Sequence, residues 1–441
     1  MFRRLAGALM ILWPLAAVQA QTRTIALDEA VSLSLAHSPA LKAMQAQIAE
    51  RQAALEKAQD ERLPDLKITG SYMRLNSANI DLKSSSGSGN GGESPKVNQA
   101  LYGLVNVSLP IYTGGRIKFG IESARYLAEA ARLDAGTQKD ELIQNTIEAY
   151  INLYKAGAAV TLVEDNLKQA QQRVKDFTGL EKNGLLARND LMKAELQAST
   201  TELALLDAQN SYQLAQVNMN LMLGLPEQTE LKTDSILQAV PAQLDALNDY
   251  VQAAGSNRYD KASLGLQRKA ADVEVKQTKS GRYPSLALTG GYIAADIPHF
   301  VTITNAVNIG LGVSYNIGSL WKGRASIKQA EAQSAQLAAQ ELGLDEKVRL
   351  QVNKAYLDCL SSKKKIDVYE RSVDQASENY RITRNKYDNS LASTTDLLDA
   401  DVAQLQARLN YAFAKADALV TYYQLLKVTG QSANNFQVNK K

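Results

Sequence analysis

The chain has 441 residues, 45% of them apolar and 22% charged, with a net charge of +3. That is enough apolar content for a large core, and the charge gives no strong polyanion-binding signal. The single cysteine, Cys359, excludes an intrachain disulfide, and the two histidines, His37 and His299, lie too far apart in sequence to suggest a metal site or His-based catalysis.

The N-terminus reads as a secretory signal over residues 1–20. Arg3-Arg4 are the positive segment, Leu5 to Ala17 the apolar segment, and Val18-Gln19-Ala20 the small-x-small cleavage site before Gln21. No cysteine sits at that junction to accept a lipid, and no later apolar run is long enough for a membrane helix. An exported chain of this kind spans a membrane, if it spans one, with strands.

Residues 25–62 carry a helical apolar stripe, punctuated at Pro39, where Ser38 can cap a restarted helix, and ended at Pro64. The period then changes to two. Leu66, Ile68, Gly70 and Tyr72 alternate with Lys67, Thr69, Ser71 and Met73. A polar Gly- and Ser-rich loop over 84–98 follows, and alternation resumes from Leu101 to Ile111, so a hairpin is expected over about 65–112. Thr113-Gly114-Gly115-Arg116 opens a long helix, about 117–181. Asn183-Gly184 breaks it, a shorter helix covers about 189–222, and Gly224-Leu225-Pro226 stops that one. Residues 226–245 read as an irregular connection.

The order then repeats. A helix is expected over about 243–281, and Pro284, Leu286, Leu288, Gly290 and Tyr292 match Pro64, Leu66, Ile68, Gly70 and Tyr72 one for one. The hairpin over about 285–317 ends in the cleanest alternation of the chain, Val307 to Ile317. Gly323-Arg324 repeats Gly115-Arg116 and opens a second long helix, to about 387, and a shorter one follows over about 394–429. The tail, 431–441, is polar.

Both long helices carry a heptad seam. In the first it runs from Leu142 through Ala149, Leu153 and Val163 to Phe177. In the second it runs from Val348 through Ala355 and Cys359 to Thr383, with Ala149-Tyr150 recurring as Ala355-Tyr356. A seam matched in phase and type suggests internal duplication, with halves at 21–225 and 246–430. A long helix of about 65 residues spans roughly 100 Å. The two shorter helices of each half together reach nearly that length, and are expected to stack end to end beside it.

Four strands with a continuous apolar face cannot close a barrel alone, and lipid does not tolerate open edges. Two copies would supply eight strands, three would supply twelve and leave room for a lumen. A soluble sandwich is the other reading of the strands, and a periplasmic structural or adaptor coiled coil the other reading of the helices. No nucleophile–base pair, phosphate loop or metal-ligand spacing is present, so no enzyme, cofactor or metal is expected. Lys363-Lys364-Lys365 has no aromatic platform beside it and reads as a solvated helix face, not a nucleic-acid site.

The ordered set of these features resembles the TolC-type outer-membrane efflux protein family over essentially the whole mature chain. The Pro-x-Leu-x-Leu/Ile-x-Gly strand starts, the Gly-Arg helix openings and the two turn motifs, Asn183 to Leu191 and Asn389 to Ala400, carry the resemblance. It implies a mainly α fold with a membrane β part. Duplicated helix–hairpin–helix–helix units would assemble as a homotrimer, with a 12-stranded β-barrel in outer-membrane lipid continued by an α-helical coiled-coil barrel in the periplasm. It also implies a passive exit duct for small molecules, docked on a periplasmic adaptor and an inner-membrane transporter, with a type I protein-secretion duct as the alternative.

The family's acidic entrance ring maps onto Asp396 and Asp399, and its gate network onto Tyr387, Asp190 and Lys415. Where some members carry an Arg four residues before the ring, this chain has Ala392. Ser393-Thr394-Thr395-Asp396 is equally a capping box, so Asp396 has a second reading as a helix cap, and Asn189 or Asp190 could start the preceding helix in the same way.

Overall fold

A computed structural model describes residues 23–78, 97–234, 240–241, 243–298 and 301–432. The signal over 1–20, most of the 84–98 loop, His299 and the end of the tail lie outside the described residues. The elements in order are β1 (Arg23–Ile25), α1 (Leu27–His37), α2 (Pro39–Asp60), β2 (Asp65–Ala78), β3 (Val97–Tyr112), α3 (Arg116–Lys182) and α4 (Arg188–Leu223). Then follow β4 (Leu231–Thr233), α5 (Leu247–Asn257), α6 (Tyr259–Ser280), β5 (Ser285–Ile297), β6 (Val301–Ser314), α7 (Ser319–Asp388) and α8 (Thr394–Val428). No helix among them is long and apolar enough to cross a membrane.

Two compact units divide the chain, and each draws on both halves of the sequence. One holds residues 40–138 and 258–349 and contains a four-stranded antiparallel sheet in the order β2-β3-β5-β6. Its register aligns like with like. Ile68, Val105, Tyr292 and Val307 stand in one cross-strand row, and Leu66, Val107, Gly290 and Ile309 in another. The next residue along each strand points to the opposite face, so Lys67, Asn106, Gly291 and Asn308 form a polar row there. Helices α3 and α6 approach closely because small residues face each other. Ser123 donates to the Ala270 carbonyl and Ser263 to the Ala130 carbonyl, both at 3.3 Å. At Gly136 an added Cβ would stand 2.8 Å from the Tyr259 ring. Arg268–Glu341 at 2.7 Å and Lys261–Asp345 at 2.9 Å join α6 to α7.

The other unit comprises residues up to 39, 139–257 and 350 onward. Its main core gathers Ile143, Ile147 and Ile151 of α3, Val31 of α1, Met219 and Leu223 of α4, and Leu419 and Tyr423 of α8. Strands β1 and β4 pair in parallel, Arg23 opposite Leu231. The Tyr150 hydroxyl binds both: it donates to the Ile25 carbonyl and accepts from the Asp234 N–H, each at 3.1 Å. Gly224 ends α4 in the left-handed region (φ 69°), where a Cβ would strike the His37 ring at 2.9 Å. His37 is therefore a packing residue of this junction.

Three expectations are corrected. The helix over 243–281 is two helices, broken at Arg258, whose backbone is extended (φ −73°, ψ 126°). Ser38 makes the same break before α2. Proline marks the first break and not the second, so the sequence showed only one. The second long helix starts at Ser319, before Gly323-Arg324, because β6 ends at Ser314. The segment 226–245 is not wholly irregular, since β4 lies within it.

Candidate functional site

Two features stand out, the turn region of the helical unit and the exposed sheet. In the first, α3 turns into α4 and α7 into α8 by the same backbone device. Gly184 (φ 70°) and Ser390 (φ 61°) take the left-handed position after each long helix. The N–H of the next residue then bonds back to the last turn, Leu185 to the Leu180 carbonyl at 2.9 Å and Leu391 to the Lys386 carbonyl at 2.7 Å. Asn183 and Asn389 each cover a further carbonyl, of Gly179 and Asn385.

The helix starts differ. α8 has a full capping box: Ser393 Oγ accepts from the Asp396 N–H at 3.2 Å, and Asp396 Oδ2 accepts from the Ser393 N–H at 2.9 Å. Ser393 Oγ–H also donates to Asp396 Oδ2 at 2.7 Å. That side-chain hydrogen bond, with the backbone one, holds the Asp396 carboxyl below its usual range. Asp399, one turn on, is exposed beside it. α4 starts after Ala187 with no side-chain cap. Asp190 instead pairs with Lys193 at 3.1 Å, and Lys193 Nζ also donates to Thr395 Oγ1 at 3.3 Å. One lysine thus links the first turn region to the second.

Tyr387 lies across Phe177, ring centroids 5.7 Å apart, in a small core with Leu191, Ala194 and Leu397. Lys415 is not brought to this place. It sits over the Tyr411 ring at 4.2 Å, roughly 30 Å along α8 from Asp396 at ~1.5 Å per residue. Within one chain, then, Asp190, Tyr387, Asp396 and Asp399 share the turn region and Lys415 does not.

Sequence reasoning missed the most buried polar group there. Asp401 is 1% exposed; its Oδ2 takes Arg173 at 3.0 Å and its Oδ1 takes Asn166 at 3.3 Å. Arg173 also donates to the Tyr380 hydroxyl at 3.3 Å. Burial works against the Arg173 charge, but Asp401 and Tyr380 outweigh it and its pKa is raised. The clasp ties α3 to α7 and α8. A signal for it existed: Asn166 and Arg173 are seven apart on α3, a polar line beside the apolar seam.

The sheet is the second feature. Ile68, Val307 and Ile309 are 75%, 78% and 81% exposed, on one continuous apolar face. Strands β2 and β6 end the sheet with no partner strand on their outer edges among the described residues. Water does not favour such a face, and open edges invite further strands.

The family described as "Outer membrane efflux protein" matches residues 30–225 and 250–431. Outer membrane efflux protein BepC of Brucella suis is 23% identical over 353 residues, 77% of this chain and 75% of that protein. Alkaline protease secretion protein AprF of Pseudomonas aeruginosa is 24% identical over 303 residues, 66% of this chain and 61% of AprF. Among solved structures, the outer membrane protein VceC of Vibrio cholerae superposes with a TM-score of 0.76 at 20% identity, covering 92% of this chain and 96% of VceC.

Proposed function

This chain belongs to the outer membrane efflux protein family, and from that premise we propose that it is the exit duct of a tripartite export system. Three copies would pair β2 of one with β6 of the next and close a twelve-stranded barrel. The apolar face would meet lipid, and the row of Lys67, Asn106 and Asn308 would line the lumen. The single observation that carries this is the sheet with one exposed apolar face and two open edges. Eight strands would fill their own interior with side chains, so three copies fit a duct and two do not. The repeated order of helix, hairpin, long helix and shorter helix supports an internal duplication with halves at 21–225 and 246–430.

The duct performs no covalent chemistry, and its energy comes from partners, a periplasmic adaptor and an inner-membrane transporter. Asp396 and Asp399 of three copies would place six carboxylates at the periplasmic entrance, attracting cations. Tyr387 and Asp190, together with Lys193 and the Arg173–Asp401 clasp, would set how far the turn regions separate. Lys415 would act higher on α8, away from the turn region. The cargo is small molecules. Export of a protein is the second reading, favoured by the likeness to AprF, whose name is that of a protease secretion protein.

Native mass spectrometry of the detergent-purified protein tests the assembly. A mass of three chains is expected. A mass of one or two chains would overturn it.

A further inference from the structure

Where the sheet meets the helices, the sheet-bearing unit changes character. The bulge between Pro110 and Tyr112 brings Tyr112 into register with Leu286, which pairs with Val313, so Tyr112 stands on the apolar face at its end. Tyr315 continues the parity of Val313 two residues on. Tyr283 precedes β5 and Trp321 lies in the first turn of α7. All four aromatic side chains are exposed.

Cations stand among them. Arg62, Lys118, Arg282, Lys322 and Arg324 are exposed, and none makes an ion pair among the described residues, whereas Arg116 is held by Glu61 at 3.3 Å. Over residues 60–65, 112–122, 278–285 and 315–325 there are seven basic and four acidic residues. The excess is therefore positive at one level of the unit.

Aromatic rings with a polar atom favour the boundary between hydrocarbon and water, and unpaired Arg and Lys side chains favour phosphate there. We propose that this junction is a collar that binds anionic phospholipid headgroups, those of the leaflet facing the helices. The rings would sit among glycerol and carbonyl groups, and the cations would take the phosphodiesters. The collar would fix the depth of the sheet in the bilayer. This rests on the reading of the apolar face as lipid-facing. It goes beyond that reading because an apolar face alone does not choose between lipid headgroups.

The test has a built-in probe. In a chain without residues 1–20, Trp321 is the only tryptophan. The purified protein is titrated in detergent with short-chain phosphatidylglycerol, short-chain phosphatidylcholine or inorganic phosphate, and Trp321 emission is followed. About tenfold tighter binding of phosphatidylglycerol than of phosphatidylcholine is expected, with no response to inorganic phosphate. The triple variant Arg282→Gln/Lys322→Gln/Arg324→Gln should lose the preference and keep the mass and conductance of the parent. Equal curves for the two lipids, a preference that survives the triple variant, or an equal response to inorganic phosphate would each overturn the collar. A wild type that forms channels yet shows no lipid preference removes the collar and leaves the duct. A wild type that forms none removes the duct itself.

Discussion

Asp401 and Arg173 are nearly withdrawn from water, and each is the other's only charged partner in the clasp. Removing one leaves the other buried and uncompensated. Arg173→Met is expected to destabilise the fold by about 3–5 kcal/mol, whereas Arg173→Met/Asp401→Leu should recover most of that loss. Thermal unfolding of the two variants and the parent checks this, and equal losses for single and double variants would contradict it. Asp396 behaves differently because it is exposed. Its pKa is depressed, so its cap contribution is present above the ordinary aspartate value of about 3.9 and is lost as pH falls through the lower folded value. Cation selectivity carried by Asp396 should therefore persist from pH 7 to about pH 5 and fall only below about pH 4. Ser393→Ala removes the Oγ–H donor and should move that fall to higher pH. Reversal potentials measured across the pH range read it directly. Of these residues, the Ser393–Asp396 box was legible because the capping pattern is local. The Arg173–Asp401 contact was only half legible: Asn166 and Arg173 mark a polar line on α3, but nothing local in the sequence pairs α3 with α8.

At the scale of elements, alternation and heptads carried most of the fold. The strands and long helices are many residues long, so their periods repeat often enough to be read. β1 and β4 are three residues each, too short to show a period, and only the parallel pairing and the Tyr150 hydroxyl define them. The break at Arg258 was likewise invisible, because no proline forces it; Arg258 instead folds back at 2.6 Å on Asp260, the acid in the first turn of α6. The two faces of β6 allow a sharp comparison. Ile309 and Asn308 are neighbours in sequence on opposite faces. If the apolar face meets lipid as proposed, Ile309→Arg should cost about 2–4 kcal/mol there and reduce the membrane-inserted fraction, while Asn308→Arg, on the opposite face, should insert normally. Immunoblots of outer-membrane fractions distinguish them, and equal loss of both would contradict the assigned faces.

For the whole molecule, the sequence pointed to an incomplete object, with four strands where a barrel needs more. Both edges of the sheet lack a partner strand among the described residues, which is what the proposed closure by other copies would satisfy. Within one chain, the Lys193–Thr395 contact joins the two turns. The measurement that tests the duct most directly is single-channel conductance in a planar bilayer, for the parent and for Asp396→Ala/Asp399→Ala. Discrete cation-selective steps that lose their selectivity in the double variant are expected. No insertion, with the protein remaining soluble in plain buffer, would contradict the duct.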